Sequence, residues 1–234
     1  METVDLLVFG PHPDDLEIGL GGTIAKHVAN GHRVGLCDLT AGEMGTNGTI
    51  DERLAEAEAA RAVLGAAWRV NLRWPDRAIG GNAEHIRAAA TLVREARPRA
   101  VAIPYGTDRH PDHVAASQVL TEAVFNSGLR RYDASGDAWK PEWVCYYFIN
   151  DSMPPSFVVD VSEHYEVKRR ALRCHASQFK AAAATAVQTR LTSPLFLQLV
   201  ESRDAQFGAL AGVAFAEGIV VNDLIVRSGL FKNL

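Results

Sequence analysis

Cysteine is scarce in this 234-residue chain, and its three cysteines, Cys37, Cys145 and Cys174, lie far apart in the sequence. An odd number of widely separated cysteines, with no Cys-x-x-Cys spacing, argues against a disulfide framework and against a structural zinc site. We therefore interpret all three as reduced thiols, which indicates a cytoplasmic protein.

Long apolar runs are absent as well. No stretch approaches the ~20 apolar residues that a bilayer span needs, and Met1 to Asp5 contain no basic segment of the kind that begins a secretion signal. We expect a soluble protein with no membrane partner.

Positive charge is not in excess. The 24 Lys and Arg residues are outnumbered by 28 Asp and Glu residues, which gives a formal net charge of −4 and a pI near 6.1. This balance leaves no basic footprint for nucleic acid or for an anionic membrane surface, so we expect neither as a partner. An anionic small molecule would have to be held by local arginines.

What the chain does contain is enough apolar material for a large core, arranged in a regular order. Hydrophobic residues make up 47% of the sequence, which suits one domain spanning residues 1–234. Runs of strand length alternate four times with amphipathic segments of helix length. This order predicts an α/β fold with a doubly wound, Rossmann-like, mostly parallel sheet and helices on both faces.

The pattern also predicts element boundaries. The predicted strands cover 4–9, 33–40, 68–74, 100–105, 143–149, 157–161 and 213–218, the last of them facing the site. The predicted helices cover 23–30, 51–64, 82–97, 114–126, 163–173, 181–186 and 196–209, with Asp51 and Ser162 as two of the caps. The polar segment over 130–142 fits either a mobile lid or an exposed connection.

A polar turn over residues 10–15 directly follows the first predicted strand. Open α/β sheets bind ligands at the carboxyl ends of their strands, so this turn is a candidate reaction site. It offers the imidazole of His12 and two adjacent carboxylates, on a turn that two prolines stiffen. Neighbouring side chains in such a turn point to different sides. We assign Asp15 to a metal beside His12, and Asp14 to the substrate side.

A second motif of the same kind, Asp-Arg-His-Pro-Asp-His over 108–113, follows the predicted strand over 100–105. A catalytic zinc site usually has three protein ligands and one open position, so His12 and Asp15 need a further ligand from elsewhere in the chain. A single His-Pro-Asp triplet is usually only a turn. Two such motifs, each closing a predicted parallel strand, indicate a metal site.

Together the two motifs resemble those of the LmbE-like (PIG-L) family of zinc-dependent N-acetylglucosamine deacetylases. The resemblance extends over nearly the whole chain and includes the segments 40–49, 52–53, 75–77, 174–178 and 216–218. These longer matches are most similar to the bacillithiol-biosynthesis branch, whose substrate is N-acetylglucosaminyl malate. The resemblance further implies a homo-oligomer, with a hexamer as in similar family members.

The resemblance implies a role for each matching residue of the two motifs. His12, Asp15 and His113 match the zinc ligands, Asp14 matches the general base, and His110 matches the electrostatic partner of the reaction. Zinc would lower the pKa of a water to roughly 7 and polarise the acetamide carbonyl. The base would take the water proton and return it to the departing amine.

Two further expectations concern the surroundings of these residues. We expect Asp112 to raise the pKa of His110 and keep it cationic, so that it stabilises the oxyanion. We expect the substrate to be contacted by Glu43, Arg53, Arg109 and His175. Because arginine forks bind carboxylates, the two arginines point to an anionic amino-sugar conjugate. If both pair with internal acids instead, a broader N-acetylglucosamine or chitooligosaccharide deacetylase is expected.

Rival functions use the same residues differently. A facial-triad iron oxygenase would take His12, Asp14 and His113 as ligands, in a jelly-roll type of β fold. A metal-dependent sugar-binding module would need no carboxylate beyond the ligands. Within the deacetylase interpretation, Zn²⁺ is the expected cofactor, and Fe²⁺, Co²⁺ or Mn²⁺ suits the same ligands.

Overall fold

The computed structural model describes residues 1–180 and 187–226, and within them seven strands form one sheet. The strands are β1 (Leu6–Gly10), β2 (Val34–Thr40), β3 (Trp68–Trp74), β4 (Ala100–Pro104), β5 (Trp143–Tyr147), β6 (Phe157–Asp160) and β7 (Ala216–Val220). Their order in the sheet is β3-β2-β1-β4-β5-β7-β6. The first five run parallel, and β7 runs antiparallel to both of its neighbours.

The helices connect these strands. They are α1 (Asp15–Ala29), α2 (Ile50–Leu64), α3 (Ala83–Ala96), α4 (Pro111–Ser127), α5 (Tyr165–Cys174), α6 (Ala176–Phe179) and α7 (Pro194–Ala211). None of the helices described is long and apolar enough to span a membrane. The helix predicted over 181–186 lies outside the described residues.

Both faces of the sheet are covered, as the alternation of side chains along β1 shows. Leu7 and Phe9 point into a core cluster shared with α3 and α4, whereas Leu6 and Val8 point into a second cluster shared with α1, α2 and α5. Full burial of such side chains contributes roughly 1.5–3 kcal/mol each. The predicted doubly wound α/β fold is therefore confirmed.

The first helix starts earlier than predicted and is interrupted. It begins at Asp15 rather than near Thr23, and Leu20 leaves helical geometry with φ −132° and ψ 16°. The carboxylate of Glu217 accepts hydrogen bonds from the amides of Gly22 (2.9 Å) and Thr23 (2.7 Å), so it caps the second half of α1. The late strand β7 thus directs Glu217 at this helix break, and the prediction that it faces the site is wrong.

Two predicted helix caps are also wrong. Helix α2 begins after Thr49, whose hydroxyl accepts from the Glu52 amide while the Glu52 carboxylate accepts from the Thr49 amide. This reciprocal capping box satisfies two free amides, which leaves Asp51 inside the first turn. Ser162 is the first residue of a short 3₁₀ turn, Ser162–His164, and its hydroxyl donates to Asp160 (2.7 Å) instead of capping a helix.

The connection over 130–142 is ordered and lies away from the carboxyl ends of the strands. It leads into Trp143, which pairs with Ala100 at the amino end of β4. The guanidinium of Arg94 donates to several of its carbonyls, and the Trp139 indole donates to the Pro98 carbonyl at 2.8 Å. Of the two interpretations, the exposed connection agrees with this position, because a lid would need to reach the opposite edge of the sheet.

Candidate active site

The two motifs meet at the carboxyl ends of neighbouring strands. Strands β1 and β4 pair in parallel at the centre of the sheet, where the strand order changes direction, and each leads directly into a motif. A cavity of about 440 Å³ opens there, lined by both motifs, by residues 44–47 and by Arg53. This is the switch-point position at which open α/β sheets bind their ligands.

The turn before α1 places its two carboxylates differently. Asp14 has φ 123°, a backbone conformation that costs a residue with a side chain about 1–3 kcal/mol, and it immediately precedes the helix that Asp15 begins. One carboxylate oxygen of Asp14 is buried and has no hydrogen-bond partner among the described residues. The side chain lines the cavity, and the same oxygen lies 3.6 Å from the Arg53 guanidinium, beyond hydrogen-bond distance.

Two imidazoles converge on one carboxylate oxygen. Oδ2 of Asp15 lies 3.0 Å from Nδ1 of His12 and 3.3 Å from Nε2 of His113. Two imidazole nitrogens and a carboxylate oxygen are a donor set of catalytic zinc, so these residues fit the metal that the resemblance implies. Two overlapping groups have ligand atoms that all lie within 4.8 Å of one another, His12 with His110 and His113, and His12 with Asp76 and Asp112, and Asp15 belongs to neither.

The charges of the converging residues support one another. Burial would raise the pKa of Asp15, but the charge and hydrogen bond of His113, with those of His12, hold it far below its usual range. Burial likewise opposes the charged form of His113, yet the Asp15 carboxylate raises its pKa to about 9. Asp15 is therefore an anion between two imidazoles, which is the charge state that a carboxylate ligand requires, whereas His113 would have to release its second ring proton on binding a metal.

Asp14, one residue away, has the opposite shift. Burial raises its pKa to about 6, although the Arg53 guanidinium 3.6 Å from its carboxylate opposes the shift. A carboxylate with a pKa near the working pH can accept a proton and give it back.

His110 and Asp112 do not interact as predicted. The Asp112 amide donates to Nδ1 of His110 (3.3 Å), while the Asp112 carboxylate binds Arg77 (2.7 Å) and Nε2 of His12 (3.3 Å). Burial and the neighbouring imidazoles lower the pKa of His110, and they outweigh the carboxylates of Asp15 and Asp112, which act in the expected, opposite direction. The expectation that Asp112 keeps His110 cationic is therefore wrong. A neutral ring that accepts at Nδ1 carries its proton on Nε2, which leaves His110 as a hydrogen-bond donor.

The four predicted substrate contacts are in different places. Arg53 and Arg109 line the cavity, but Glu43 and His175 do not. Glu43 is exposed and accepts from the Asp76 amide (2.6 Å). His175 is fully buried with Nε2 3.2 Å from the Glu17 carboxylate, so the structure places it beneath the site rather than in it.

Comparison with known proteins gives the family. Residues 7–124 match the family described as PIG-L: GlcNAc-PI de-N-acetylase. The chain belongs to this family.

Relatives of this PIG-L protein extend over most of its length. The diacetylchitobiose deacetylase of Thermococcus kodakarensis is 32% identical over 92% of this chain and 81% of its own length. The 1D-myo-inositol 2-acetamido-2-deoxy-alpha-D-glucopyranoside deacetylase of Nocardioides sp. is 27% identical over 74% and 82% of the two chains. Among solved structures, a conserved protein from Thermus thermophilus is 36% identical, with a TM-score of 0.88 over 96% and 97%.

The PIG-L site contains residues that motif reasoning missed. Asp76 and Arg77 follow β3, Asn150 follows β5, and all three line the cavity together with Arg190. Asp76, Arg77 and Asn150 could have been found by asking which polar residues follow each predicted strand, as both motifs do. No sequence pattern marks Arg190.

A buried charge cluster supports the site from below. Arg69 donates to both oxygens of Asp38 (2.7 and 2.8 Å) and to Glu17 (2.6 Å) in the first turns of α1. Because a buried charge is stable only when paired, this cluster ties β2 and β3 to the helix that carries Asp15.

Proposed function

We propose that this protein is a metal-dependent hydrolase that removes the N-acetyl group from an N-acetylglucosaminyl conjugate, with N-acetylglucosaminyl malate of bacillithiol biosynthesis as its substrate. One observation carries the reaction type. A buried carboxylate with a raised pKa, Asp14, adjoins the convergent set of His12, Asp15 and His113 at the cavity wall. Deacetylases of amino sugars among the relatives support the same chemistry.

The proposal assigns the metal to His12, Asp15 and His113, with Zn²⁺ as the ion and Fe²⁺, Co²⁺ or Mn²⁺ as substitutes. Such an ion supplies what acetamide hydrolysis lacks at neutral pH, a water with a pKa of roughly 7 and an electrophile for the carbonyl oxygen. Asp14 accepts the proton of the attacking water and returns it to the amine. His110, as a neutral donor, stabilises the developing oxyanion.

The anionic part of the substrate is assigned to Arg109 and Arg190. Both are exposed and line the cavity, and Arg190 lies 5.4 Å over the Phe196 ring while donating to the Asn150 side chain (3.2 Å). Neither pairs with a carboxylate in the part of the chain that the structure describes. A guanidinium fork without a protein carboxylate can bind one from the ligand.

Arg53 is less able to take this role. Its guanidinium donates to the carbonyls of Gly42 (2.7 Å) and Pro13 (2.9 Å), and it lies beside Asp14. These bonds leave it as a brace between the glycine-rich loop over residues 41–49 and the first motif. We therefore expect Arg53 to affect turnover through Asp14 more than through affinity for an anion.

A broader N-acetylglucosamine or chitooligosaccharide deacetylase is the second candidate, because a relative 32% identical is a diacetylchitobiose deacetylase. The oxygenase is not favoured, since the sheet is parallel α/β and the oxygen between the two imidazoles belongs to Asp15 rather than Asp14. A binding module has no use for a carboxylate tuned like Asp14.

The substrate is tested by comparing kcat/KM for N-acetylglucosaminyl malate, free N-acetylglucosamine and diacetylchitobiose. We expect the malate conjugate to be preferred, and Arg109→Ala and Arg190→Ala to remove that preference mainly through KM. Arg99→Ala, an exposed arginine at the opposite edge of the sheet, is the control. Equal rates for malate conjugate and free sugar would contradict the bacillithiol substrate but leave the deacetylase intact.

We also propose that the protein works in the cytoplasm as a homo-oligomer, a hexamer as the family resemblance implies. Sedimentation at micromolar concentration tests the assembly. A species at a multiple of the 25.4 kDa chain mass is expected, and a monomer would contradict it.

A further inference from the structure

We infer that Asp76 and Asp108 are positioning residues that hold His12 and His113 by the ring nitrogens facing away from Asp15. The inference rests on the metal site of the proposed function. It assigns a task to two carboxylates that neither the motif roles nor the proposed mechanism uses.

Asp108 is fixed before it meets the imidazole. Its carboxylate accepts from the His110 amide (2.8 Å) and from the backbone and side-chain amides of Asn150 (2.9 and 3.0 Å). The same carboxylate lies 3.1 Å from Nδ1 of His113, whose other nitrogen, Nε2, faces Asp15 at 3.3 Å. The ring is thus held from behind by an acceptor that cannot move freely.

Asp76 does the same for His12 with the two ring nitrogens exchanged. Oδ1 of Asp76 lies 3.2 Å from Nε2 of His12, which Oδ2 of Asp112 also approaches at 3.3 Å, and Nδ1 of that ring lies 3.0 Å from Asp15. Oδ2 of Asp76 accepts from the Met44 amide (3.0 Å), and the Asp76 amide donates to Glu43 (2.6 Å). Asp76 therefore joins the glycine-rich loop, which lines the cavity, to a predicted ligand.

The consequence is a fixed and opposite proton position on each ring. A neutral imidazole that donates from its outer nitrogen presents the lone pair of its inner nitrogen, so His12 would bind through Nδ1 and His113 through Nε2. Loss of such an outer partner typically weakens metal binding about 10–100-fold.

The same atoms allow a different interpretation, in which His12, Asp76 and Asp112 themselves form a cation site. Two contacts argue against it. Asp112 is held by the Arg77 guanidinium (2.7 Å) and amide (3.0 Å), and Asp76 by the Met44 amide. A guanidinium on a would-be ligand opposes a second cation there.

The test is a zinc titration of the metal-free protein against a chromophoric chelator, with no substrate present. We expect one ion per chain for the parent, a dissociation constant about 10–100-fold weaker for Asp76→Ala and Asp108→Ala, and partial recovery in the corresponding Asn variants, which keep an acceptor oxygen. Asp151→Ala, which removes an exposed carboxylate next to Asn150, is the control and should bind like the parent.

A spectroscopic measurement on zinc-loaded protein separates positioning from general loss of structure. Long-range ¹⁵N–¹H spectra should show the ring proton of His12 on Nε2 and that of His113 on Nδ1. The inference is overturned by the reverse tautomers, by Ala variants that bind zinc as the parent does, or by a second ion that Asp112→Asn removes. A parent that binds no zinc would overturn the proposed metal site as well.

Discussion

Adjacent residues of one turn, Asp14 and Asp15, are given opposite acid strengths by their surroundings. The carboxylate of Asp15 lies between two imidazoles that lower its pKa far below the usual range, whereas burial raises the pKa of Asp14 to about 6. The unusual φ of 123° at Asp14 accompanies this division, in which the carboxylate of Asp15 faces two imidazoles and that of Asp14 faces the Arg53 guanidinium. One residue can then bind the ion while the other moves a proton.

Removal of the base should separate turnover from metal binding. Asp14→Asn keeps the shape of the side chain but cannot accept a proton, so we expect kcat to fall by on the order of 10²–10⁴ with full metal content. Turnover assays and metal analysis on the same preparation measure both. Near-normal turnover would remove Asp14 from the mechanism.

Removal of the central ligand should have the reverse effect. Asp15→Ala leaves His12 and His113 without the carboxylate between them, so we expect the purified protein to lose its metal. Elemental analysis measures the metal content of Asp15→Ala and of Asp14→Ala, and the two values are compared. Metal retained by Asp15→Ala and lost by Asp14→Ala would contradict the assignment and favour the ligand set of the oxygenase geometry.

For single residues, the sequence was informative where all partners belong to the two motifs. It failed where a partner comes from a strand outside them. The convergence of His12, Asp15 and His113 follows from two motifs at the ends of parallel strands. The true partner of Asp112 is Arg77, which arrives from β3. No spacing within the second motif could indicate that pairing, so the pKa of His110 was predicted in the wrong direction.

Helix α1 depends on a strand more than 190 residues away in the chain. Glu217 of β7 caps its second half and also binds Lys168 at 2.6 Å, with both side chains fully buried. Lys168 is also bound by Asp204 at 2.6 Å, so removal of the Glu217 carboxylate leaves Lys168 with one carboxylate and leaves the amides of Gly22 and Thr23 without an acceptor. Breaking a buried network of this kind costs about 3–5 kcal/mol.

We therefore expect Glu217→Ala to lower the free energy of unfolding by about 3–5 kcal/mol, as measured by urea denaturation. Glu166→Ala, which removes an exposed carboxylate from α5, should change stability little. A Glu217 variant as stable as the Glu166 variant would contradict the capping role.

The first half of α1 gives a prediction for pH. Burial would raise the pKa of Glu17, but the charge of Arg69, followed by that of His175, holds it at about 2. Because the pKa of Glu17 is lower in the folded protein than in the unfolded chain, where it is roughly 4.3, ionised Glu17 stabilises the fold at pH values above roughly 4.3. That contribution is lost as the pH falls toward 2.

The unfolding free energies of the parent and Glu17→Gln should therefore differ by a constant amount above pH 5, and the difference should shrink between about pH 4.5 and 2. Urea denaturation at several pH values measures this difference. A difference independent of pH down to 2 would contradict the ionised, paired state of Glu17.

Element types could be predicted from the sequence better than their ends. Alternating apolar runs indicated every strand, yet α1 and α4 begin inside the motifs, at Asp15 and Pro111. Each motif also forms the first turn of the helix that follows it. Its polar residues interrupt the apolar repeat from which the start of a helix is predicted. The antiparallel edge formed by β6 and β7 was hidden for another reason, since strands of four and five residues carry no direction in their pattern.

At the scale of the molecule, the fold places the site but does not choose the reaction. The sheet brings β1 and β4 together at its switch point, and the alternation of elements was enough to predict this. Relatives of the chain are deacetylases of amino sugars, which supports the proposed chemistry. The arginines of the cavity then support an anionic conjugate, and only Arg190 among them lacked any signal in the sequence.

We propose that the protein removes an acetyl group with a metal held by His12, Asp15 and His113 and with Asp14 as the base. The most direct test is acetate release from N-acetylglucosaminyl malate by protein stripped with a chelator, before and after one equivalent of zinc. We expect no acetate release from the stripped protein. After zinc is added, the amount of acetate released should equal the amount of free amine formed. Zinc-loaded Asp14→Asn should release almost none. Release that is unaffected by stripping, or equal in the zinc-loaded parent and Asp14→Asn, would contradict the claim.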